Sequence, residues 1–263
     1  MELRIGKNHD NKITKGDLKM KKIKMQVITS CLSLALVAGT LFTPVSVFAG
    51  TIGDPTTQLD GKLSTFHQGD ANDCGAVSGI QALANSKFGK NFLSKVISVN
   101  SNGSYTLNFG SKKQTVSKTD VANAYISGDL DARVIEAGMQ KAMNVYNGCF
   151  ACDVFVKMTG FGQNVVSGAT AKTNMMNTMT SKCNSGEGIT AACDFNIADP
   201  SKGIIGDGGH SYSIKSVTKD TVVVINPWDT SKYINMSRSQ FESSIRYMTY
   251  VDEATKKVVV FWS

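Results

Sequence analysis

The spacing of apolar residues predicts helices in the first part of the chain. From Asp73 these residues recur at steps of three and four for about four turns, with Asp73 as the N-cap and Gly89 as the C-cap. A second helix with one apolar stripe is predicted from Asp129. A third, short helix is predicted over residues 173–182, whose methionines suit core packing better than ligand binding.

Strand patterns account for much of the remaining chain. Residues 103–117 alternate on both sides of a Gly-Ser turn and predict a β-hairpin. After Pro200 we expect a short helix from Ser237 and four strands, over residues 209–217, 221–226, 245–251 and 256–262. The pattern therefore predicts an α+β fold with a helical N-terminal lobe and a C-terminal lobe rich in antiparallel β-structure.

The first 49 residues have the pattern of an export signal. Lys21, Lys22 and Lys24 precede a long apolar run, and small residues lead up to Ala49. We expect cleavage after Ala49, and a start at Met20 would give a leader of ordinary length. A retained membrane anchor is the alternative, but polar residues and a proline interrupt the run and no stop-transfer charges follow. The mature chain is therefore expected to be secreted, without stable membrane association.

Residues 50–263 are expected to form one domain that is large enough to bury a core. The leader holds eight of the 28 Lys/Arg residues and three of the 21 Asp/Glu residues, so the rest of the chain has a net charge of only +2. Because its lysines are scattered rather than gathered in a basic stripe, the sequence does not support nucleic-acid binding.

Five cysteines follow the leader, an odd number for an exported protein, in which cysteines tend to pair. Two disulfides among the later four would leave Cys74 as the free thiol, and the candidates are Cys149, Cys152, Cys183 and Cys193. A thioredoxin-like site in the CFAC segment is disfavoured because the segment follows a helix pattern. A zinc site would need closer spacing of the last two cysteines, so no metal site is predicted.

Cys74 is the candidate nucleophile because it lies in the first turn of the first predicted helix. Unpaired backbone N–H groups and the helix dipole favour a thiolate there. Two histidines follow the leader, and His210, at the start of a strand, suits the role of base better than His67, which is expected on the surface. A buried or disulfide-bonded Cys74 is the structural alternative.

His210 and Asn226 are predicted to be neighbours at the open end of one hairpin. With a turn at residues 218–220, Ser211 or Tyr212 faces Asn226. An amide oxygen in that place accepts the Nδ1 proton of His210 and fixes the ring for proton transfer. The alternative for Asn226 is a turn former at the end of a strand.

Gln68 is the candidate oxyanion donor. It precedes Cys74 by six residues, and its side-chain N–H₂ group can point at an oxyanion that forms on an acyl carbon attacked by the thiol. One such donor is typically worth about 3–4 kcal/mol in the transition state.

Together these segments resemble the papain-like cysteine peptidases and, within them, the calpain catalytic core. The similarity runs from about Gln68 to Tyr247, and the order Gln, Cys, His, Asn makes it specific. Five segments carry it. QGDANDC is similar to the calpain segment Q-G-x-L-G-D-C, and LDARVIEAGMQKAM is similar to W-x-x-L-L-E-K-A-Y. GGHSYSI is similar to G-H-A-Y-S-V, INPWD to R-N-P-W-G, and MSRSQFESSIRY to S-x-x-x-F. Gly75 departs from the pattern, because the family has a tryptophan directly after the cysteine.

The resemblance implies a papain-like fold of two lobes with the active site between them. Cys74 is then the nucleophile, His210 the base and Asn226 the residue that orients the base. Gln68 is the oxyanion donor, and Trp228 shields the His–Asn hydrogen bond from water.

The expected activity is proteolysis by a secreted, calpain-like cysteine-type endopeptidase, a hydrolase that cleaves protein or peptide substrates through a thioester acyl-enzyme. One alternative is a papain-like thiol amidase or acyl transferase that acts on cell-wall peptide or as a toxin, and another is an inactive homologue that only binds. No cofactor is required, and calcium enters by resemblance alone. Residues 50–66 are the candidate for a short pro-segment.

Overall fold

The structure, a computed structural model, describes residues 59–110, 112–167, 171–194 and 209–262. The predicted leader, the start at Met20, the cleavage site and most of the candidate pro-segment lie outside these residues. The described residues all belong to one compact unit.

The described residues contain seven α-helices and twelve strands. The α-helices are α1 Cys74–Asn85, α2 Lys87–Val96, α3 Lys118–Ala122, α4 Leu130–Met143, α5 Ala151–Thr159, α6 Ala171–Asn184 and α7 Arg238–Ser244, with a 3-10 turn at Val145–Asn147. The strands are β1 Phe66–His67, β2 Ile97–Val99, β3 Tyr105–Phe109, β4 Lys112–Val116, β5 Ser127–Gly128, β6 Gly162–Val166, β7 Ile189–Cys193, β8 His210–Val217, β9 Thr221–Asn226, β10 Asp229–Ser237, β11 Ile245–Asp252 and β12 Lys257–Trp262.

Seven of the strands form the main sheet, in the order β10-β9-β8-β7-β11-β12-β6. Every pair in it is antiparallel except β12 with β6, which is parallel. A smaller antiparallel sheet contains β2, β3 and β4, and β1 pairs with β5 over two residues. The α+β class predicted from the sequence is confirmed at this level.

The first predicted helix ends earlier than its apolar pattern indicates. It stops at Asn85, and α2 begins at Lys87 with Ser86 as its N-cap, whose hydroxyl accepts the Gly89 N–H at 2.7 Å. Gly89 therefore lies inside α2, and its prediction as the C-cap of α1 was wrong. A Cβ at Gly89 would overlap the Leu83 carbonyl group, so the close packing of α2 on α1 requires glycine there.

Other local predictions are confirmed. The Asp129 side chain accepts the Ala132 N–H at 2.9 Å and caps α4. Ser237 and Gln240 form the capping box that begins α7. The hairpin at residues 103–117 is present as β3 and β4. The α6 methionines are core residues, namely Met175, Met176 and Met179.

The β8–β9 hairpin has the predicted register. Ser213 faces Ile225, and the same register extends to Tyr212 opposite Asn226. A bulge at Lys215 shifts the pairs nearer the turn by one residue. The sequence therefore located the end of the hairpin that carries His210.

Strand β10 was missed by the sequence analysis. It follows β9 after a turn of only two residues, Pro227 and Trp228, so that Asp229 pairs with Asn226. The middle of β10, at Ser231–Tyr233, is exposed, and this polar stretch hides the alternation of apolar residues. The turn holds Asn226 and Trp228 at the same end of the sheet as the start of β8.

The main sheet separates two apolar cores. Along β11 and β12, Tyr247, Val251, Val258 and Val260 pack with α1, α4 and α5, whereas the intervening residues Met248, Tyr250, Val259 and Phe261 pack with α6. Helix α1 therefore lies in the first core and also contacts β7 and β8. No helix among the described residues is long and apolar enough to cross a membrane.

Candidate active site

Cys74 is the first residue of α1, as predicted. Its neighbours on the chain are fully or nearly fully buried, while the cysteine itself keeps a partly exposed side chain. Helix α1 leads from this point into the first apolar core, where Val77, Ile80 and Leu83 are fully buried. The thiol therefore lies at the edge of the core, at the end of a rigid element.

A pair of serines joins α1 to the strand that begins with His210. The hydroxyl groups of Ser78 and Ser211 are 2.7 Å apart, and Ser78 lies one helical turn after Cys74. The Ser211 backbone N–H is also near enough to the Cys74 sulfur to oppose the rise in the thiol pKa that burial causes. Since Ser211 directly follows His210, these contacts bring the predicted nucleophile and base to the same place.

A second link joins the Gln68 segment to the Asn226 turn. The Gln68 backbone N–H donates to the Pro227 carbonyl oxygen at 2.9 Å. Two residues earlier, Phe66 donates its N–H to the Thr230 hydroxyl at 3.0 Å and accepts from it at 2.9 Å. The chain before Cys74 is thus fastened to the β9–β10 turn.

The His210 side chain is buried under Trp228. Their rings are parallel, with an interplanar angle of 8° and centroids 6.0 Å apart. The predicted hydrogen bond from His210 to Asn226 is not formed, and the Asn226 Oδ1 accepts the Trp228 N–H at 3.0 Å instead. Within the described part of the chain, the His210 Nε2 is buried and has no hydrogen-bond partner.

Gln68 lies beside α1, but its amide is engaged locally. Its Nε2 donates to the Ala71 carbonyl oxygen at 3.0 Å. The amide also lies near Asp73, where burial raises the pKa of the carboxyl group and the amide partly opposes that rise. The resting structure therefore differs from the prediction, in which the N–H₂ group points at an oxyanion above Cys74.

Burial decides the charges of Cys74 and His210. It raises the pKa of Cys74 to about 11, since the loss of water outweighs the hydrogen bond from Ser211. It lowers the pKa of His210 to about 4. The expectation that the helix start lowers the thiol pKa was wrong, and at neutral pH both groups are uncharged in this structure.

We expect Cys74 to react with iodoacetamide faster as the pH rises. For a thiol with a pKa of about 11, the thiolate fraction, and with it the rate, increases about tenfold per pH unit from about pH 7 to about pH 9. Mass spectrometry of the Cys74 peptide at timed intervals measures this rate apart from the other cysteines. A rate that stays constant over this range would contradict the neutral pair and indicate a thiolate–imidazolium ion pair.

Gly75 is explained by close packing. A Cβ at this position would overlap the Cys149 carbonyl oxygen, which lies against the first turn of α1. The segment after α4 thus occupies the space that a tryptophan side chain would need. The departure from the calpain pattern therefore has a local structural cause.

All five cysteines in the described residues are free thiols, so the structure contains none of the disulfides predicted among the later four. Cys193 is buried in β7, in the second core. The Cys183 thiol points at the Lys215 carbonyl oxygen, 3.8 Å away, instead of pairing with Cys193. Cys152 and Cys149 lie at the start of α5 and just before it.

Two buried acids lie beside Cys74, and neither was expected to take part in the site. Asp73 and Glu136 are both 0% exposed. Asp73 was expected to cap α1, but its side chain makes no capping hydrogen bond and lies against Glu136 instead. The sequence could have indicated Glu136, because it lies four residues after Ala132 and therefore on the same, buried face of α4.

The other site candidates are resolved more simply. His67 is half-exposed and lies 3.7 Å from the Asp229 carboxylate, at the surface as expected. Across the described ranges, no three His, Cys, Asp or Glu side chains form a group that could hold a metal ion. The chain matches no protein-family model, and no curated protein matches it.

Proposed function

We propose that the chain is an exported cysteine peptidase with a papain-like arrangement of its active site, most similar to the calpain catalytic core. The observation that carries the proposal is the convergence of four residues. The Ser78–Ser211 bond ties the helix of Cys74 to the strand of His210, and the Gln68–Pro227 bond ties the oxyanion candidate to the turn that holds Asn226.

The reaction begins from the neutral pair. His210 takes the proton of the Cys74 thiol as the sulfur attacks the peptide carbonyl carbon, so charge develops only during the attack. The carbonyl oxygen gains negative charge and is stabilised by the Gln68 side-chain N–H₂ group, which must turn from the Ala71 carbonyl oxygen to reach it. His210 then gives its proton to the leaving amine, and a thioester remains on Cys74.

Water completes the cycle. His210 takes a proton from a water molecule as the water oxygen attacks the thioester, and the proton returns to the Cys74 sulfur when the acid product leaves. Trp228 limits the access of bulk water to the histidine ring. Rotation of the Asn226 amide toward His210 would let its oxygen accept a hydrogen bond from the histidine Nδ1–H and orient the ring.

A second candidate is a homologue that binds peptides without cleaving them. The observation that favours it is the high pKa of the Cys74 thiol together with the engaged amides of Gln68 and Asn226. Gly75 does not favour it, since packing against Cys149 accounts for that residue.

Labelling by an epoxide-type thiol inhibitor is expected at Cys74 of the purified protein at neutral pH. His210 is needed to activate the thiol, so His210→Ala should lower the labelling rate about 100-fold or more. Intact mass and peptide mapping measure the label. Equal labelling rates of the wild type and His210→Ala, or no labelling of either protein, would favour the binding homologue. A parallel assay of peptide substrates and peptidoglycan fragments separates a protein substrate from a cell-wall substrate.

A further inference from the structure

Two acids that take no part in the proposed reaction form a buried cluster at the start of α1. Asp73 directly precedes Cys74, and Glu136 comes from the middle of α4. The Ile126 backbone N–H donates to Glu136 Oε2 at 3.0 Å. Within the described residues, Glu136 Oε1 and both carboxyl oxygens of Asp73 are buried and lack a protein hydrogen-bond donor.

Two adjacent carboxylates could not both remain charged in such a place. Each would lose its hydration, and no lysine or arginine in the described part of the chain forms an ion pair with either. A single proton removes one charge and supplies the missing donor, so that one acid donates to the other.

We propose that Asp73 and Glu136 share one proton at neutral pH, and that this carboxyl pair positions the start of α1 and thereby Cys74. The Asp73 carbonyl oxygen accepts the N–H groups of Ala76 and Val77, at 2.8 and 3.0 Å, and these bonds form the first turn of the helix. The side chain of the same residue is bound to Glu136, so the pair connects α4 to the turn that carries the thiol. Glu136 is a positioning residue, because it acts through Asp73.

The surroundings favour the protonated pair. The titratable groups that face it are Cys74 on α1, Tyr146 in the 3-10 turn and Cys149 before α5. None of these is positively charged at neutral pH. Burial raises the pKa of Glu136 well above its usual range and also raises the pKa of Asp73, while the neighbouring Gln68 amide opposes the rise at Asp73.

The shared proton makes the stability of the protein depend on pH. Above about pH 5 the unfolded chain has lost the Glu136 proton, whereas the folded protein, in which burial raises the pKa of Glu136 well above its usual range, keeps it at neutral pH. The free energy of unfolding therefore falls as the pH rises. Between about pH 6.5 and about pH 8, the unfolding constant of the wild type should rise about tenfold per pH unit relative to Glu136→Gln, which binds no proton.

Urea unfolding of the purified protein at several pH values in this range measures the difference. The control is Glu253→Gln, which removes an exposed carboxylate and should leave the slope of the wild type unchanged. Equal slopes for the wild type and Glu136→Gln would overturn the shared proton. If Glu136→Gln does not fold, Asp73→Asn provides the same comparison, because it removes the other partner.

The positioning role rests on the proposed function and is tested by kinetics. Glu136→Ala leaves Asp73 without its partner and should lower kcat at least tenfold with little change in KM, while Glu136→Gln, which still donates to Asp73, recovers most of the loss. Equal kcat values for the alanine variant and the wild type would overturn the positioning role. If the wild type hydrolyses no peptide, the peptidase proposal fails, but the unfolding result still tests the shared proton. The failure of one proposal can therefore be distinguished from the failure of the other.

Discussion

Replacing Cys74 with alanine is expected to abolish peptide hydrolysis while leaving the fold intact. The thiol is the group that forms the acyl-enzyme, and removal of a nucleophile of this kind lowers kcat by about 10⁴-fold or more. The side chain is small and partly exposed at the edge of the core, so we expect the free energy of unfolding to change by no more than about 1 kcal/mol. Hydrolysis of peptide substrates by the purified variant measures the first effect, and urea unfolding measures the second.

The matched control is Cys183→Ala. Cys183 is also a partly buried free thiol, but it lies on α6, in the second core and away from His210. This variant should keep its activity within about a factor of two, since it touches neither the helix nor the turn that form the site. Activity of Cys74→Ala at the level of the wild type would refute the peptidase proposal.

Replacing Gly75 with alanine is expected to destabilise the protein by about 3 kcal/mol or to prevent its folding. The new Cβ would overlap the Cys149 carbonyl group, and a backbone group cannot rotate away as a side chain can. Either the start of α1 or the segment before α5 must move. Because Cys74 is the adjacent residue, this movement should also lower peptidase activity in any protein that folds.

Gly79→Ala provides the comparison within the same helix. Its Cβ would lie 3.2 Å from the Val154 Cγ1, which belongs to a side chain that can shift slightly. Alanine also favours the helix by about 1 kcal/mol over glycine, so the net change should stay within about 1 kcal/mol. Urea unfolding of both variants measures the difference. Equal stabilities would show that the Cys149 segment yields easily and that Gly75 is not required by packing.

Short-range patterns were sufficient for many parts of the fold. The helix start at Asp129 and the cap at Ser237 were predicted because helix periodicity and capping hydrogen bonds involve residues only three or four apart. The register that leads to Tyr212 opposite Asn226 followed from the turn at residues 218–220. The order of Gln68, Cys74, His210 and Asn226 was visible for the same reason, because each lies at the end of a locally recognisable element.

Burial and contacts between distant segments were not predictable in this way. A thiolate was expected at the start of α1 from the helix alone. In the folded protein, loss of water around Cys74 raises the thiol pKa despite the helix. Likewise, the Asn226 amide oxygen was expected to accept a hydrogen bond from His210, but after the turn into the unpredicted β10 it accepts the Trp228 N–H.

The chain alone determined which residues could do the chemistry and on which elements they lie, because helix starts, hairpins and caps depend on near neighbours. Only the tertiary structure decided how those residues are charged and held. It placed Glu136 against Asp73, and the Cys149 carbonyl against Gly75. It also buried His210 under Trp228. Each of these contacts joins segments far apart in the chain, and the desolvation that shifts a pKa arises only when such segments pack together.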